Sequence, residues 1–228
     1  MGSAVVRAMI RSTSDIRIGM VEKDSIRRDH ATREFGATDF SSDPAELFAF
    51  AELVVLAVKP QDLTVVADAT HPAGRNKRIL SVLAGTSIES IQNAFGTRTV
   101  VRIMPNIAAD IGKAVTGISF SSDFDYSERE AIKELLREIG TVLEVKEELL
   151  TAITAVSGSG IAFVFEFIEA LALAGVQQGL TYADALGAAT GVVESAALLV
   201  RESESDPTAL THRVCSPAGT TIEGIRAL

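Results

Sequence analysis

The sequence predicts an α/β domain with a doubly wound, mostly parallel sheet over residues 1–148, then an all-helical domain over residues 149–228. Three observations carry this. Strand-like and helix-like segments alternate through the first two-thirds of the chain. The strand-like runs are continuous and apolar, as in Leu53-Val54-Val55-Leu56-Ala57-Val58, which suits strands buried on both faces. Beyond about residue 148 the strand-like runs stop.

The elements follow in order. Residues 3–11 read as a helix and residues 16–21 as a short strand ending at Glu22. Asp43-Pro44-Ala45-Glu46 gives an N-cap with proline at the first helical position. Residues 53–58 form a strand that stops at Lys59-Pro60, and residues 79–83 one that stops at Ala84-Gly85. Thr86-x-x-Glu89 reads as a capping box for a helix ending at Gly96. Strands follow at 99–104 and 115–120. Ser127-x-x-Glu130 then caps a helix ending near Gly140, and residues 142–145 close the series.

In the second part, Ile161, Val164, Ile168, Leu171 and Gly175 recur at helical spacing, and Gly179 ends that helix. Thr181-x-x-Asp184 starts the next. Its many Ala and Gly residues over 185–200 suggest close packing on several sides. Asp206-Pro207 begins a short helix. Ser216-Pro217-Ala218-Gly219 is a turn, and Thr220-x-x-Glu223 is a capping box for a last helix.

Composition narrows the function. The chain has 228 residues, 47% hydrophobic and 22% charged, which is enough to bury a substantial core and too apolar for disorder. Its net charge of −9 argues against nucleic acid or an anionic membrane as a partner. The longest apolar candidate, residues 161–176, has 16 residues and carries Glu166 and Glu169, so a buried helix is expected there. The single cysteine, Cys215, excludes an internal disulfide, and the three histidines lack metal-ligand spacing, so no metal is expected. A reducing, cytoplasmic setting is the default reading.

In open parallel sheets, ligands bind at the carboxyl ends of the strands. A ligand is therefore expected at the turns after the strands: Glu22, Lys59-Pro60, Ala84-Gly85 and Met104-Pro105-Asn106. A nucleotide-binding sheet normally opens with a strand, a glycine-rich turn and a helix. Here Met1-Gly2 reads as the tail of such a turn, with Glu22 lying 20 residues beyond Gly2 to meet an adenosine ribose. On that reading the first strand and two glycines are missing, and their loss leaves a gap in the middle of the sheet.

Several segments then occur together and in order: Met1-Gly2-Ser3-Ala4, Ala57-Val58-Lys59-Pro60, Val101-Arg102-Ile103-Met104-Pro105-Asn106, Ser157-Gly158-Ser159-Gly160 and Ser216-Pro217-Ala218-Gly219-Thr220-Thr221. Over the whole chain these resemble the Δ1-pyrroline-5-carboxylate reductase family. The resemblance implies a Rossmann-like coenzyme domain and a helical substrate-binding and dimerisation domain. It implies reduction of a cyclic imine to proline by NADPH or NADH, and a homodimer or higher homo-oligomer formed through the C-terminal helices. The chain departs from the family pattern at Ile161, at Asn106-Ile107-Ala108 and at Ala218. Those departures leave room for another cyclic imine as substrate, or for a non-catalytic, coenzyme-binding relative. The family's usual length also makes this chain look short at both ends.

The resemblance gives the residues their expected roles. Thr221 and Ser216 match substrate-loop positions, with Thr221 expected to donate to the ring nitrogen. Gly219, Thr220, Thr221 and Ser159 are expected at the substrate. Gly2, Glu22, Val58, Lys59, Pro60, Ala84, Gly85, Met104, Pro105 and Asn106 are expected at the coenzyme, the amide of Asn106 suiting a carboxamide. Glu22 favours a ribose hydroxyl and hence NAD, whereas Arg27 and Arg28 favour the extra phosphate of NADP. The biosynthetic setting tips the expectation to NADP.

Overall fold

The computed structural model describes residues 1–227. Two compact units are present, Met1–Ile161 and Ala162–Leu228.

The first unit begins with α1 (Gly2–Ser12), which buries Ala4, Val5, Ala8 and Met9 on one stripe. A short pair of parallel strands follows, β1 (Gly19–Met20) and β2 (Thr38–Asp39), joined through α2 (Ser25–Phe35). Asp24 caps α2 by accepting from the Arg27 amide, and Gly36 ends it at φ +61°. α3 (Pro44–Phe50) starts as expected, with the Asp43 side chain accepting from the Ala45 amide.

The main sheet holds β3 (Leu53–Leu56), β4 (Arg78–Ser81), β5 (Val100–Pro105), β6 (Ala114–Phe120) and β7 (Gly140–Glu144), hydrogen-bonded in that order. α4 (Leu63–Ala69) joins β3 to β4, and α5 (Ile88–Phe95) joins β4 to β5. α6 (Tyr126–Leu135) lies between β6 and β7. All these pairs are parallel except β5 with β6. Only eight residues separate Pro105 from Ala114, and a parallel crossover needs about a dozen or more. The chain therefore turns straight back. The β1–β2 pair is a separate sheet from β3–β7 among the described residues.

Both faces of the main sheet are covered. On β4, Ile79 packs with Phe48, Leu56, Ile91 and Phe95, while Leu80 packs on the other face with Val5, Met9, Ile103 and Ile118. Adjacent residues pointing to opposite cores explain why these strands read as unbroken apolar runs.

Several local expectations move. The strand read at 16–21 is only Gly19–Met20, and the short β2 carries no apolar signal. Ser87, not Thr86, caps α5, accepting from the Ser90 amide; Thr86 is buried. Asp125 and Glu128, not Ser127 and Glu130, form the capping box of α6. The first pattern was read one residue early and the second two residues late, because neighbouring Ser, Thr, Asp and Glu can all play the part; burial of Thr86 leaves the cap of α5 to Ser87.

The polypeptide after β7 is helical: α7 (Leu150–Ile153), a π-helical segment Thr154–Ser159, and α8 (Gly160–Gln177). α9 (Tyr182–Ser203), α10 (Pro207–Val214) and α11 (Thr220–Ala227) follow. Thr181 caps α9 and Asp206 caps α10, as read from the sequence. Thr220 is the first residue of α11, inside the helix and not its cap. The compact units divide at Ile161, later than the boundary read at 148. Residues 149–161 stay with the sheet because Leu150 and Ile153 sit on β6 at Gly117, where a Cβ would meet them at 3.0 and 3.1 Å.

In the second unit, α8 and α9 meet through small residues. Ala172, Ala185 and Ala189 are buried, and a Cβ on Gly175 would lie 3.0 Å from the Ala185 Cβ. The expected buried α8 and closely surrounded α9 are not found in the single chain. Phe163, Phe165, Phe167, Val192, Leu198 and Leu199 are all exposed. Both helical stretches, Glu147–Gln177 and Tyr182–Ser203, are long and apolar enough to cross a membrane by length and composition. An uncovered apolar face of this size marks an interaction surface.

Candidate functional site

Three parallel neighbouring strands end at one edge of the main sheet. β3 stops after Leu56, leaving Val58 half-buried and Lys59 and Pro60 exposed. Pro60 opens a single 3₁₀ turn, which stops the strand from continuing. β4 stops after Ser81, and Ala84 and Gly85 are exposed beyond it. Gly85 has φ +69° with open space around its Cα, so a left-handed bend exposes backbone there. β5 ends at Met104 and Pro105, both half-buried. The parallel register β3–β4–β5 therefore brings Val58, Lys59, Pro60, Ala84, Gly85, Met104, Pro105 and Asn106 to one edge, as the turns in the sequence suggest.

Gly2 lies beside this edge. A Cβ on it would come within 2.8 Å of the Ala57 Cβ, so the first turn of α1 packs closely on the end of β3. No side chain caps that turn, which leaves its amides free for an anion.

Asn106 is 7% exposed and faces inward. Its Oδ1 accepts from the Ala108 amide at 3.3 Å, capping the 3₁₀ turn Ile107–Ile111. Its Nδ2 donates to the Ser157 carbonyl at 3.0 Å. The sequence points to a coenzyme contact for this amide; the bond to Ser157 spans 51 residues and has no local signal. Ser159 lies two residues further along the π segment and is exposed.

Glu22 follows β1 in the small sheet. Its Oε1 accepts from the Asp24 amide at 3.0 Å. Arg28 donates to the Glu22 carbonyl at 2.8 Å and lies 3.7 Å from Asp39. The Ser41 hydroxyl takes a bond from the Glu22 amide and gives one to the Glu22 carbonyl. Hydrogen bonds from Ser41, with help from Arg28, hold the Asp39 carboxyl below its ordinary range. Ser41 and Asp39 were missed from sequence because β2 is too short and polar to signal a strand. Arg27 is exposed.

In the second unit, residues 216–219 form the expected turn, with the Gly219 amide donating to the Ser216 carbonyl at 3.1 Å. Ala218 sits at φ +57°, and a Cβ on Gly219 would lie 2.3 Å from the Ser216 Oγ. A side chain at 219 would therefore displace the Ser216 hydroxyl, and Ala218 is strained by its left-handed backbone. Ser216, Thr220 and Thr221 are exposed, with the two threonines in the first turn of α11. Cys215 is a free, partly exposed thiol.

Two features lie outside this set. Glu147 joins Arg102, at 2.5 Å, to the Ile88 amide that starts α5. A groove of mixed character, lined by Gln92, Phe120, Arg129, Glu144, Val145 and Glu147, lies at the other end of β5 and β6. No group of three or more His, Cys, Asp or Glu could hold a metal among the described residues.

Comparison with known proteins finds a match for each half of the chain. Residues 147–228 match the family described as pyrroline-5-carboxylate reductase dimerisation, and residues 1–85 match NADP oxidoreductase, coenzyme F420-dependent. The structure of a pyrroline-5-carboxylate reductase from Coxiella burnetii covers 99% of this chain, and 85% of that chain is matched, at a TM-score of 0.86 and 27% identity. A Plasmodium falciparum pyrroline carboxylate reductase with NADP bound covers 100% of this chain and 85% of its own at a TM-score of 0.84; at 23% identity it shows the fold alone. The pyrroline-5-carboxylate reductase of Aquifex aeolicus is 39% identical over 100% of this chain and 85% of the relative. By that identity along its whole length, the chain belongs to the pyrroline-5-carboxylate reductase family.

Proposed function

We propose that this protein reduces 1-pyrroline-5-carboxylate to L-proline with NAD(P)H. The carrying observation is the full-length identity of 39% to a pyrroline-5-carboxylate reductase. The site is consistent with it. The residues fit a dinucleotide: Gly2 allows close packing on Ala57, the α1 amides are uncapped, and Gly85 exposes backbone.

The coenzyme supplies the hydride that adds to the imine carbon. Val58, Lys59, Pro60, Ala84, Gly85, Met104 and Pro105 would hold it along the sheet edge, with Gly2 at its phosphates and Glu22 at its adenosine ribose. Asn106 is committed to Ala108 and Ser157, so it enters by holding neighbouring backbone. The acceptor carbon is most reactive when the ring nitrogen is protonated. Thr221 is assigned the donor to that nitrogen, with Ser216 five residues before it at the start of the turn that precedes α11. Gly219, Thr220 and the first turn of α11 suit the substrate carboxylate, because free amides and the helix dipole favour an anion. Ser159 is assigned a further polar contact to substrate.

The match to a dimerisation family supports homo-oligomerisation. The finer reading is a homodimer that covers the apolar faces of α8 and α9. A cytoplasmic setting is consistent with the single free cysteine.

The deciding experiment follows NADPH and NADH oxidation by absorbance with pyrroline-5-carboxylate as acceptor, alongside other cyclic imines. Proline formation with pyrroline-5-carboxylate supports the reading. Turnover only with another imine, or with none, overturns it.

A further inference from the structure

We propose that Asn106 is a positioning residue, one whose amide sets the rotation of the π-helical segment Thr154–Ser159 and thereby the direction of Ser159. This deepens the reductase reading and rests on it for the role of Ser159.

The argument starts with the chain after β5. Pro105 ends the strand, and Asn106 is the first residue free of the ladder. Its two amide ends do different work. Oδ1 accepts from Ala108, and Nδ2 donates to the Ser157 carbonyl. Rotating the amide by half a turn would oppose donor to donor and acceptor to acceptor, so its pose is fixed.

The acceptor lies in an unusual place. A π segment pairs i with i+5, so it is wider than an α-helix, holds an extra residue, and is frequent at functional sites. Within it, Thr154 and Ser157 turn their hydroxyls back onto the carbonyls of Leu150 and Ile153, both at 2.8 Å. Such back-bonding bends helices and weakly destabilises them. The stretch also carries Gly158 and Gly160, which add backbone freedom.

Two interactions of different kinds help to set this stretch on the sheet. Leu150 and Ile153 rest on Gly117 of β6. That contact is apolar and non-directional, so it sets the distance of the helix from the sheet but leaves its rotation loosely set. The bond from Asn106 is directional and buried, and it falls in the middle of the π turn. Ser159 follows two residues later, so an error in rotation at Ser157 is carried directly to it.

The test uses Asn106→Asp and Asn106→Ser in the full chain. Both retain a side-chain oxygen that can cap for Ala108, and neither can donate to Ser157 as the amide does. Hydrogen exchange of residues 154–160 is measured beside kcat, both KM values and the melting midpoint. Both variants should exchange faster across 154–160. Their kcat should fall by about 10- to 100-fold, with the coenzyme KM within about twofold of the parent. A cap-only role predicts normal exchange and normal kcat in both, and that result overturns the proposal. Lost turnover with unchanged exchange overturns it too. Should the parent chain reduce no pyrroline-5-carboxylate, the proline reading fails, and the exchange arm still decides whether Asn106 holds the π turn.

Discussion

The two units treat the same kind of residue in opposite ways. In Met1–Ile161, apolar side chains face inward: Val5, Ile79, Leu80, Val100, Val101 and Ile118 are all fully buried. In the described part of Ala162–Leu228, the buried hydrophobics are Ala172, Ala185 and Ala189, while Phe163 is 69% exposed and Leu199 56% exposed. Apolar character alone does not set burial; a covering partner does. The sheet has helices on both faces, whereas α8 and α9 have only each other along a thin stripe of alanines. The second unit, matched by a dimerisation family, thus carries an uncovered hydrophobic surface that suits the homodimer proposed above.

That contrast can be broken or sharpened by experiment. The largest expected effect is on turnover. Thr221→Ala should lower kcat by about 10²- to 10⁴-fold, and Thr221→Ser should restore most of it. Steady-state kinetics checks this, and an unimpaired alanine variant removes Thr221 from the chemistry. Next comes the core of the first unit. Ile79→Ala should cost about 2–5 kcal/mol in urea unfolding, because it opens a cavity where no solvent reaches. Leu199→Ala, changed at an exposed site, should leave unfolding of the separate chain within about 0.5 kcal/mol. A similar loss at both positions would erase the distinction between the units.

Association comes third. Phe165→Glu on exposed α8 should weaken self-association by at least the ~1.5–3 kcal/mol of burying a phenylalanine. Sedimentation equilibrium should then show a shift toward monomer, with the fold of the first unit intact by circular dichroism. Unchanged assembly would place the interface elsewhere. The smallest effect is electrostatic. Lys133 and Arg129 hold the Glu144 carboxyl below its ordinary range, Lys133 being the larger cause. A depressed carboxyl stabilises the fold above its unfolded value and loses that contribution as pH falls through the folded one. Partial exposure limits the contribution to about 0.5 kcal/mol or less. Glu144→Gln should therefore flatten the acid side of the stability–pH curve slightly and leave the neutral side parallel to the parent.

Much of this was legible in the residues. Continuous runs such as Leu53-Val54-Val55-Leu56 announced strands buried on both sides, and Asp43, Thr181 and Asp206 announced helix starts. The turns at Lys59, Gly85 and Met104 announced a ligand edge, because parallel strands must end together. Strand β2 was silent, since two exposed polar residues carry no periodic signal. The reversal of β6 lay in loop length, which is easy to pass over in a run of strand signals. The bond from Asn106 to Ser157 had no sequence trace, because a contact between distant residues exists only once both segments have folded.

The sequence by itself determined the alternation of strands and helices, the turns that end them, and the family, since these follow from local periodicity, turn chemistry and identity along the chain. Only the tertiary structure decided which apolar runs are covered, where the compact units divide, and which partner the Asn106 amide takes. Burial and directional hydrogen bonds depend on what other segments bring to the same place, and no local pattern records that.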